Sequence, residues 1–592
     1  MSEETSFEKS LAALQQKRKD EARAKKEDKI KKDIAHTERN FLKGDISAGY
    51  QLYLKFENGV FEKNSDGNIE CLLDKNPLVA EQYLSECNRI LNETISLDEN
   101  GYAENKIYLA NLNLSDFRKF KTLKIKFDKK LTVFIGDNGA GKTTIVDAIS
   151  KAISWIASNI VKKGGRGRPL LEHDVNIDSM TYAEANVQIK IGEKSDYTAS
   201  LRKTVKGAKD SKDSELEALE ELAGLFRIIN NYNINNGKSE QNLPLLVSYS
   251  VNRTNIKSNK TFNPEKISSV SLGSRFDAYD KATDGSGNFS DFSEWFMMLH
   301  NLAGDDLKRR MDSAKKKVDA LSLASADHED SELWDIFSAT KLEYEKLNSD
   351  FKSKELHIKN FEIVKKAILT TIPSFTDIFV DKSSGRVELK VETDGQIINV
   401  FQTSQGQRVL LSVIADMVRR LIMLNPSLNN PLLGQGIALI DEVELHLHPK
   451  WQQGIIKSLT DTFPNIQFIL TTHSPQVLST VDKTCIRQFI EDEYGNIQSV
   501  PPKFQTKGVR SADILGEIMD TNSVPDIEEA HLVDHFSELL LLGRKNDAEK
   551  ILERLYSHFG NEHPVIKDCE NKIKIFEMKE RVQLKKKERM TK

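Results

Sequence analysis

The run GDNGAGKTT, Gly136 to Thr144, fits the spacing G-x-x-x-x-G-K-[ST] with Gly136, Gly141, Lys142 and Thr143 in register. Each residue type answers a physical need. Glycines let successive backbone N–H groups wrap a chain of phosphates, with Asp137, Asn138, Gly139 and Ala140 forming the body of the loop and Thr144 closing it. Lys142 can reach the β- and γ-phosphates, and the Thr143 hydroxyl can ligate Mg²⁺. A helix that follows directly aims its positive end at the anion. A second stretch, GIALIDE from Gly436 to Glu442, is an apolar run ending in two carboxylates. Asp441 could hold Mg²⁺, directly or through water, and Glu442 could orient or polarise an attacking water. Alone it reads equally well as a buried strand with an acidic end; paired with the phosphate loop it points to nucleotide hydrolysis. A third, FILTTHS from Phe468 to Ser474, ends another apolar run in His473. A lone histidine there is more often structural. As the next strand after Asp441 and Glu442, it is placed to contact a γ-phosphate from the strand's C-terminal end.

A fourth stretch, TSQGQ from Thr403 to Gln407, opens an apolar segment of helical period. An N-cap serine accounts for Ser404. It does not account for Ser404, Gly406 and Gln407 in that order.

These residues need a scaffold, and the hydrophobic pattern supplies an α/β one. Strand-period alternation runs from Lys106 to Phe134 and stops at the Gly-rich turn, followed by an apolar-faced helix over 145–161. Further strands are predicted near 184–191, 244–250 and 386–400, with a polar surface loop over 203–218. Residues 292–370 read as helical, and a two-helix hairpin of about 75 residues would reach ~50 Å. The chain divides into a charged arm (1–35), a helical extension (36–100) and a lobe carrying the phosphate loop (101–290). A helical hairpin (291–372), a second lobe (373–507) and a helical C-terminal region (508–592) follow. Within the extension, GDISAGYQLYLKFENGVF and NPLVAEQYLSECNRIL resemble a Sel1- or TPR-like helical pair joined by a Gly-containing turn. One such pair cannot bury its face alone, so it must pack on the rest of the chain or on a partner.

At 592 residues the chain exceeds a single core. With 39% hydrophobic and 29% charged residues, no membrane-spanning run and no apolar leader, it reads as soluble and cytoplasmic. Its four cysteines lack CxxC spacing, so neither a disulfide framework nor a zinc ribbon follows. The net charge of −4 is unevenly spread, with nine basic against five acidic residues over 17–33 and nine against three over 572–592. Such ends can meet phosphate backbones, although they also suit solvated helices.

The order and spacing of the four motifs resemble the ABC-type ATPase heads of the SMC, Rad50 and RecF kind. That resemblance implies ATP and Mg²⁺ as ligands. It also implies a signature, Ser404, Gly406 and Gln407 here, that is presented to the nucleotide of an opposite subunit, so the chain would act as a dimer or higher oligomer. Two departures stand out. His448, in ELHLHP, occupies the place of the D-loop aspartate. No lid (Q-loop) glutamine is evident, LEHDVNID around His173 and Asp174 being the nearest segment. His446 and His448 also allow a metal reading, for which no further Cys/His cluster lies nearby.

DEVELHLHPKWQQ, TTHSPQVLST, LPLLVSYSVNR and RFDAYDKATDGSGNFSDFSEWF narrow the resemblance to the PtuA-type ATPases of Septu anti-phage defence systems, in particular those found beside retrons. The helical extension and the GGRGRPL loop carry the retron likeness. It implies an HNH-type nuclease partner of the PtuB kind, with a reverse transcriptase and its msDNA in retron forms, and an ATPase that scaffolds or gates that nuclease and need not turn over quickly. The chain itself shows no His-Asn-His zinc arrangement, and the 119 residues after His473 lack the acidic clusters of a Toprim nuclease. Two alternatives stand: a DNA-repair ATPase of the RecF or Rad50 type, and a module that keeps ATP as a structural ligand.

Overall fold

A computed structural model describes residues 2–64, 68–94, 102–103, 106–208, 211–254, 273–287, 289–304, 307–324, 332–382, 387–493, 497–519, 521 and 526–590. The chain forms two compact units, Met1–Gly508 and Val509–Lys592. The boundary expected near residue 100 lies outside the described residues.

The first unit opens with helix α1 (Ser2–Leu42), which runs through the boundary expected at residue 35. The charged run does not end the helix, because no Gly or Pro interrupts it before Lys43–Gly44, and Phe41 anchors its last turn against Tyr83. Helices α2 (Ile46–Asn58) and α3 (Pro77–Thr94) follow, α2 capped by the Asp45 side chain. They are joined by an antiparallel hairpin, β1 (Val60–Lys63) and β2 (Ile69–Leu73), where a simple glycine turn was expected. Asn64 and Asn68 close the hairpin by reciprocal hydrogen bonds. The helical pair finds its partner within the chain: Ile46 N–H bonds Ser195 Oγ at 3.0 Å, and Asn88 bonds Asn233 at 3.0 Å.

Strands β3 (Ile107–Phe117) and β4 (Phe120–Lys126) begin the ATPase lobe. They are followed by β5 (Leu131–Ile135), α4 (Lys142–Val161), β6 (Tyr182–Ile191), β7 (Ser195–Thr204), α5 (Glu217–Asn235) and β8 (Leu245–Tyr249). The helical insertion is α6 (Phe289–Ala303), α7 (Leu307–Ala324) and α8 (Glu332–Thr371). Only the part of α8 opposite α7 forms a free hairpin, around Ala314, Leu347 and Phe351. At 1.5 Å per residue the described 18 residues of α7 span ~27 Å. The rest of α8 is core: Val364 and Ile368 are fully buried, and Phe361 stacks on Phe296 of α6.

Beyond it come β9 (Phe375–Asp381), β10 (Glu388–Thr393), β11 (Gln396–Asn399), α9 (Gln405–Leu424), β12 (Gly436–Ile440) and α10 (Pro449–Thr462). Next are β13 (Ile466–Thr471), α11 (Pro475–Leu478), β14 (Ile486–Glu491) and β15 (Ile497–Val500). The central six-stranded sheet has the order β15-β14-β5-β13-β12-β8 and is parallel apart from β15. β5, β8, β12 and β13 are buried along their whole length, so they read as continuous apolar runs rather than alternating ones. A four-stranded antiparallel sheet, β4-β3-β6-β7, lies beside it. Two buried glutamines stitch the sheets together. Gln467 bonds both the N–H and the carbonyl of Leu109, and Gln435 accepts the N–H of Ile107.

The second unit holds α12 (Ser511–Glu517), α13 (Glu528–Leu541), α14 (Lys545–Phe559) and α15 (Pro564–Met590), the last three packed around Phe536, Leu552, Leu555 and Ile566. The basic side chains expected over 583–592 lie outside the described residues. No described helix is long and apolar enough to cross a membrane. The α/β core, inserted helices and helical segments at both ends are the architecture expected.

Candidate nucleotide site

The three chemical motifs leave adjacent strands of one sheet at the same edge. β5 delivers Gly136–Thr144, β13 delivers His473 and β12 delivers Asp441 and Glu442. The pairing Phe134 to Thr471 and Ile440 to Leu470 sets them level. They line one cleft of about 250 Å³, which holds Asn138, Gly139, Lys142, Thr143, Asp441, Glu442 and His473. The C-terminal edge of a parallel sheet is where a ligand can meet loops and helix starts without disturbing the ladder.

The phosphate loop is built by its glycines. Gly139 and Gly141 have φ of 80° and 99°, and a methyl on Gly141 would lie 2.3 Å from the Phe120 ring. α4 starts immediately after Gly141, so its first N–H groups have no acceptor within the helix and point into the cleft's floor. Gly136 and Asp137 contribute from behind: their carbonyls take the Lys142 ammonium at 2.7 and 2.9 Å. Burial holds the Lys142 pKa below its ordinary value, against the pull of Asp441 and Glu442. Thr144 lines the cleft beside Thr143, whereas Ala140 only closes the loop's turn by donating its N–H to Asp137.

Asp441 is wholly buried and held by two hydroxyls. Thr143 Oγ1 donates at 2.8 Å and Thr471 Oγ1 at 2.6 Å. An oxygen donor set of hydroxyl and carboxylate converging at one point suits a hard divalent cation such as Mg²⁺, so Thr143 and Asp441 are the residues that would hold it. Glu442 sits at φ +50°, a backbone state that costs a non-glycine residue about 1 to 2 kcal/mol. Its N–H donates to Thr471 Oγ1 at 2.7 Å. The His473 N–H bonds Glu444 Oε1 at 2.6 Å, which fixes the turn after β13.

Ser404, Gly406 and Gln407 do not line this cleft. Ser404 caps α9 in a reciprocal box with Gln407, at 3.3 and 2.9 Å. Gly406 packs on the chain's own His446 carbonyl, 2.3 Å from where a methyl would stand. The serine thus has the capping role its type allows, and the glycine has an in-chain reason to be glycine.

His448 caps α10, its Nδ1 accepting the Lys450 N–H at 3.2 Å, and His446 pairs with Gln405 at 3.0 Å. Both rings serve the local fold. In LEHDVNID, the segment nearest to a lid, His173 is exposed and Asp174 is fully buried in an ion cluster; neither lines the cleft. Lys151 lies 2.5 Å and Arg118 2.8 Å from the Asp174 carboxylate. Burial alone would raise the Asp174 pKa, but the Leu171 N–H, Lys151 and Arg118 outweigh it and hold it below the usual carboxylate range.

Three contributors escaped the motif reading. Arg118 and Lys119, in the turn between β3 and β4, line the cleft, with Lys119 bonding the Gly139 carbonyl at 2.8 Å. The signal was the pair of basic residues in DFRKF just ahead of the phosphate-loop strand. Arg253, after β8, donates to the main chain of Asp441 and Glu442. Burial lowers its pKa to about 10, with Asp441, Glu442 and Glu444 opposing, so it remains a cation at neutral pH.

Residues 107–478 match the model of the AAA ATPase domain family. The chain belongs to that family. It is 31% identical to the retron Vc95 probable ATPase of Vibrio cholerae serotype O1 biovar El Tor, over 84% of this chain and 91% of that one. It is 29% identical to the retron Ec83 probable ATPase of Escherichia coli, over 87% and 92%. A shorter likeness, 28% over 33% of this chain and 27% of the other, joins it to the Septu protein PtuA of Bacillus mycoides strain KBAB4. Each of the two retron ATPases is matched over more than nine-tenths of its own length.

Proposed function

We propose that this chain binds and hydrolyses ATP as the ATPase subunit of a retron-type anti-phage defence complex in the cytoplasm, closing around ATP with a second copy of itself. One observation supports this most: Lys142, Thr143, Asp441, Glu442 and His473 meet in one cleft from three neighbouring strands. In this reading the phosphate loop and Lys142 bind the triphosphate; Thr143 and Asp441 would hold Mg²⁺, which would supply positive charge for the phosphate oxygens. Glu442 orients or deprotonates water, and His473 contacts the γ-phosphate. Arg118 and Lys119 add positive charge at the cleft mouth.

The second half of the reading concerns Ser404, Gly406 and Gln407. They sit at the start of α9, outside their own chain's cleft; Ser404 is exposed there, with Gly406 and Gln407 buried behind it, and a partner's nucleotide could meet the Ser404 hydroxyl. A nucleotide sandwiched in this way favours one assembly state over another, which is what a latch on a nuclease subunit requires. In this reading the gated partner is an HNH-type nuclease, with reverse transcriptase and msDNA in the same complex; the likeness to two retron ATPases supports the retron setting.

A tagged pull-down from the native operon, with protein and nucleic acid identified in the eluate, tests the assembly. A small HNH protein with reverse transcriptase and msDNA is the expected result. Recovery of replication or repair proteins in their place would favour a RecF-like role. Loss of nuclease control in Lys142→Ala is expected as well; unchanged control would remove the latch.

A further inference from the structure

Arg253 lies in the 3-10 turn after β8 and is 2% exposed. A buried guanidinium is costly unless its donors are used; both terminal nitrogens of Arg253 are spent on main-chain oxygens, while its Nε has no acceptor. It donates to the carbonyls of Ser250 at 2.9 Å, Asp441 at 2.5 Å and Glu442 at 2.6 Å. Two of those three carbonyls belong to the residues that carry the proposed chemistry.

The two carboxylates are held differently. Asp441 is fixed through its side chain by Thr143 and Thr471. Glu442's hydrogen bonds run through its main chain: its N–H goes to Thr471, and its carbonyl accepts from Arg253 and from the Leu445 N–H at 2.9 Å. Its φ of +50° would relax toward an ordinary conformation if those contacts were lost, and the carboxylate would swing with it.

We propose that Arg253 is a positioning residue for hydrolysis: it locks the Asp441–Glu442 backbone in the left-handed turn that delivers the Glu442 carboxylate to the cleft. The inference rests on Glu442 acting on water. The guanidinium sets one nitrogen of a rigid planar fork on each of two consecutive carbonyls, whereas lysine offers a single nitrogen on a flexible stem, so lysine preserves the charge and loosens the lock.

The test compares wild type, Arg253→Lys, Arg253→Met and Glu442→Gln in single-turnover hydrolysis of Mg-ATP, alongside ATP affinity and Mg²⁺ half-saturation. Both Arg253 variants should slow hydrolysis by ~10²-fold, the effect of a displaced catalytic group, with ATP affinity and Mg²⁺ response within about 3-fold of wild type. Rates within about 3-fold of wild type in both variants would overturn the proposal. So would a parallel loss of ATP affinity in Arg253→Lys, which would mark a merely structural arginine. Wild-type hydrolysis by Glu442→Gln would instead remove the reading of Glu442 itself, which keeps the two failures distinct.

Discussion

Thr143 and Asp441, 298 positions apart in the chain, share a hydrogen bond of 2.8 Å between hydroxyl and carboxylate. It joins the first turn of α4 to the end of β12 across the cleft. The contact exists because β13 lies between β5 and β12 in the sheet, with Thr471 tying its own end to the same carboxylate. The site is therefore assembled by strand order rather than by any one loop.

Lys142→Ala should lose ATP affinity while keeping its fold. The ammonium's partners are the loop carbonyls of Gly136 and Asp137, so its removal leaves no buried carboxylate unpaired. Losing one charge-assisted contact of about 1.5 to 3 kcal/mol predicts a fall of ~10- to 10²-fold, read by titration with a fluorescent ATP analogue.

Glu442→Gln should bind Mg-ATP normally and hydrolyse it ~10² to 10⁴-fold more slowly, the range for losing a positioned base. Its backbone contacts to Thr471 and Arg253 do not involve the carboxylate, so the swap leaves them in place. Burst and steady-state phosphate release separate the two effects.

Much of this was legible in the sequence, and the reasons are local. Gly-rich spacing and apolar strands ending in polar residues are properties of contiguous segments, so Gly136–Thr144, Asp441, Glu442 and His473 could be placed together. Arg118, Lys119 and Arg253 could not, because their roles arise from tertiary neighbours: Arg118 turns on Asp174, 56 residues away, and Arg253 on Glu442, 189 away. The ion cluster of Asp174 was hidden for the same reason, since nothing near it in sequence shows the buried Lys151. The hairpin between α2 and α3 was missed because its strands are only four and five residues long, too short for period to declare itself.

Ser404 permits a clean separation of capping from a role in trans. Ser404→Ala should cost about 1 kcal/mol of stability through the lost cap. Ser404→Asp keeps an N-cap acceptor but sets a negative charge where a partner's γ-phosphate would approach. Thermal melts should therefore rank Asp near wild type and Ala below it, while ATP hydrolysis fails in Asp. Gly406 is the poorer probe, because any side chain there meets the His446 carbonyl.

Asp416 on the same helix predicts an acid-sensitive core. It is fully buried, taking Arg420 at 2.7 Å and the Tyr249 hydroxyl at 2.9 Å. Burial pushes its carboxyl up, but Arg420, Arg419 and Tyr249 outweigh it, so the folded pKa lies below the ordinary value. A carboxyl so depressed contributes stability above its unfolded pKa of about 4, and that contribution is lost as pH falls through the folded value. Asp416→Asn should lose ~3 to 5 kcal/mol at pH 7, the cost of breaking a buried pair. Its melting temperature should also fall less steeply than the wild type's between about pH 5 and pH 3.

The most direct test of a site shared between two copies is complementation between Lys142→Ala and Ser404→Asp, co-expressed with different tags and purified through both. Each variant alone should be inactive, because every site in its homodimer lacks one half. The heterodimer should regain about half of wild-type ATP hydrolysis, since the phosphate loop of the Ser404→Asp chain meets the intact Ser404 of its partner while the other site carries both lesions. A doubly tagged complex with no recovered hydrolysis, or a Ser404→Asp protein as active as wild type on its own, would contradict the account.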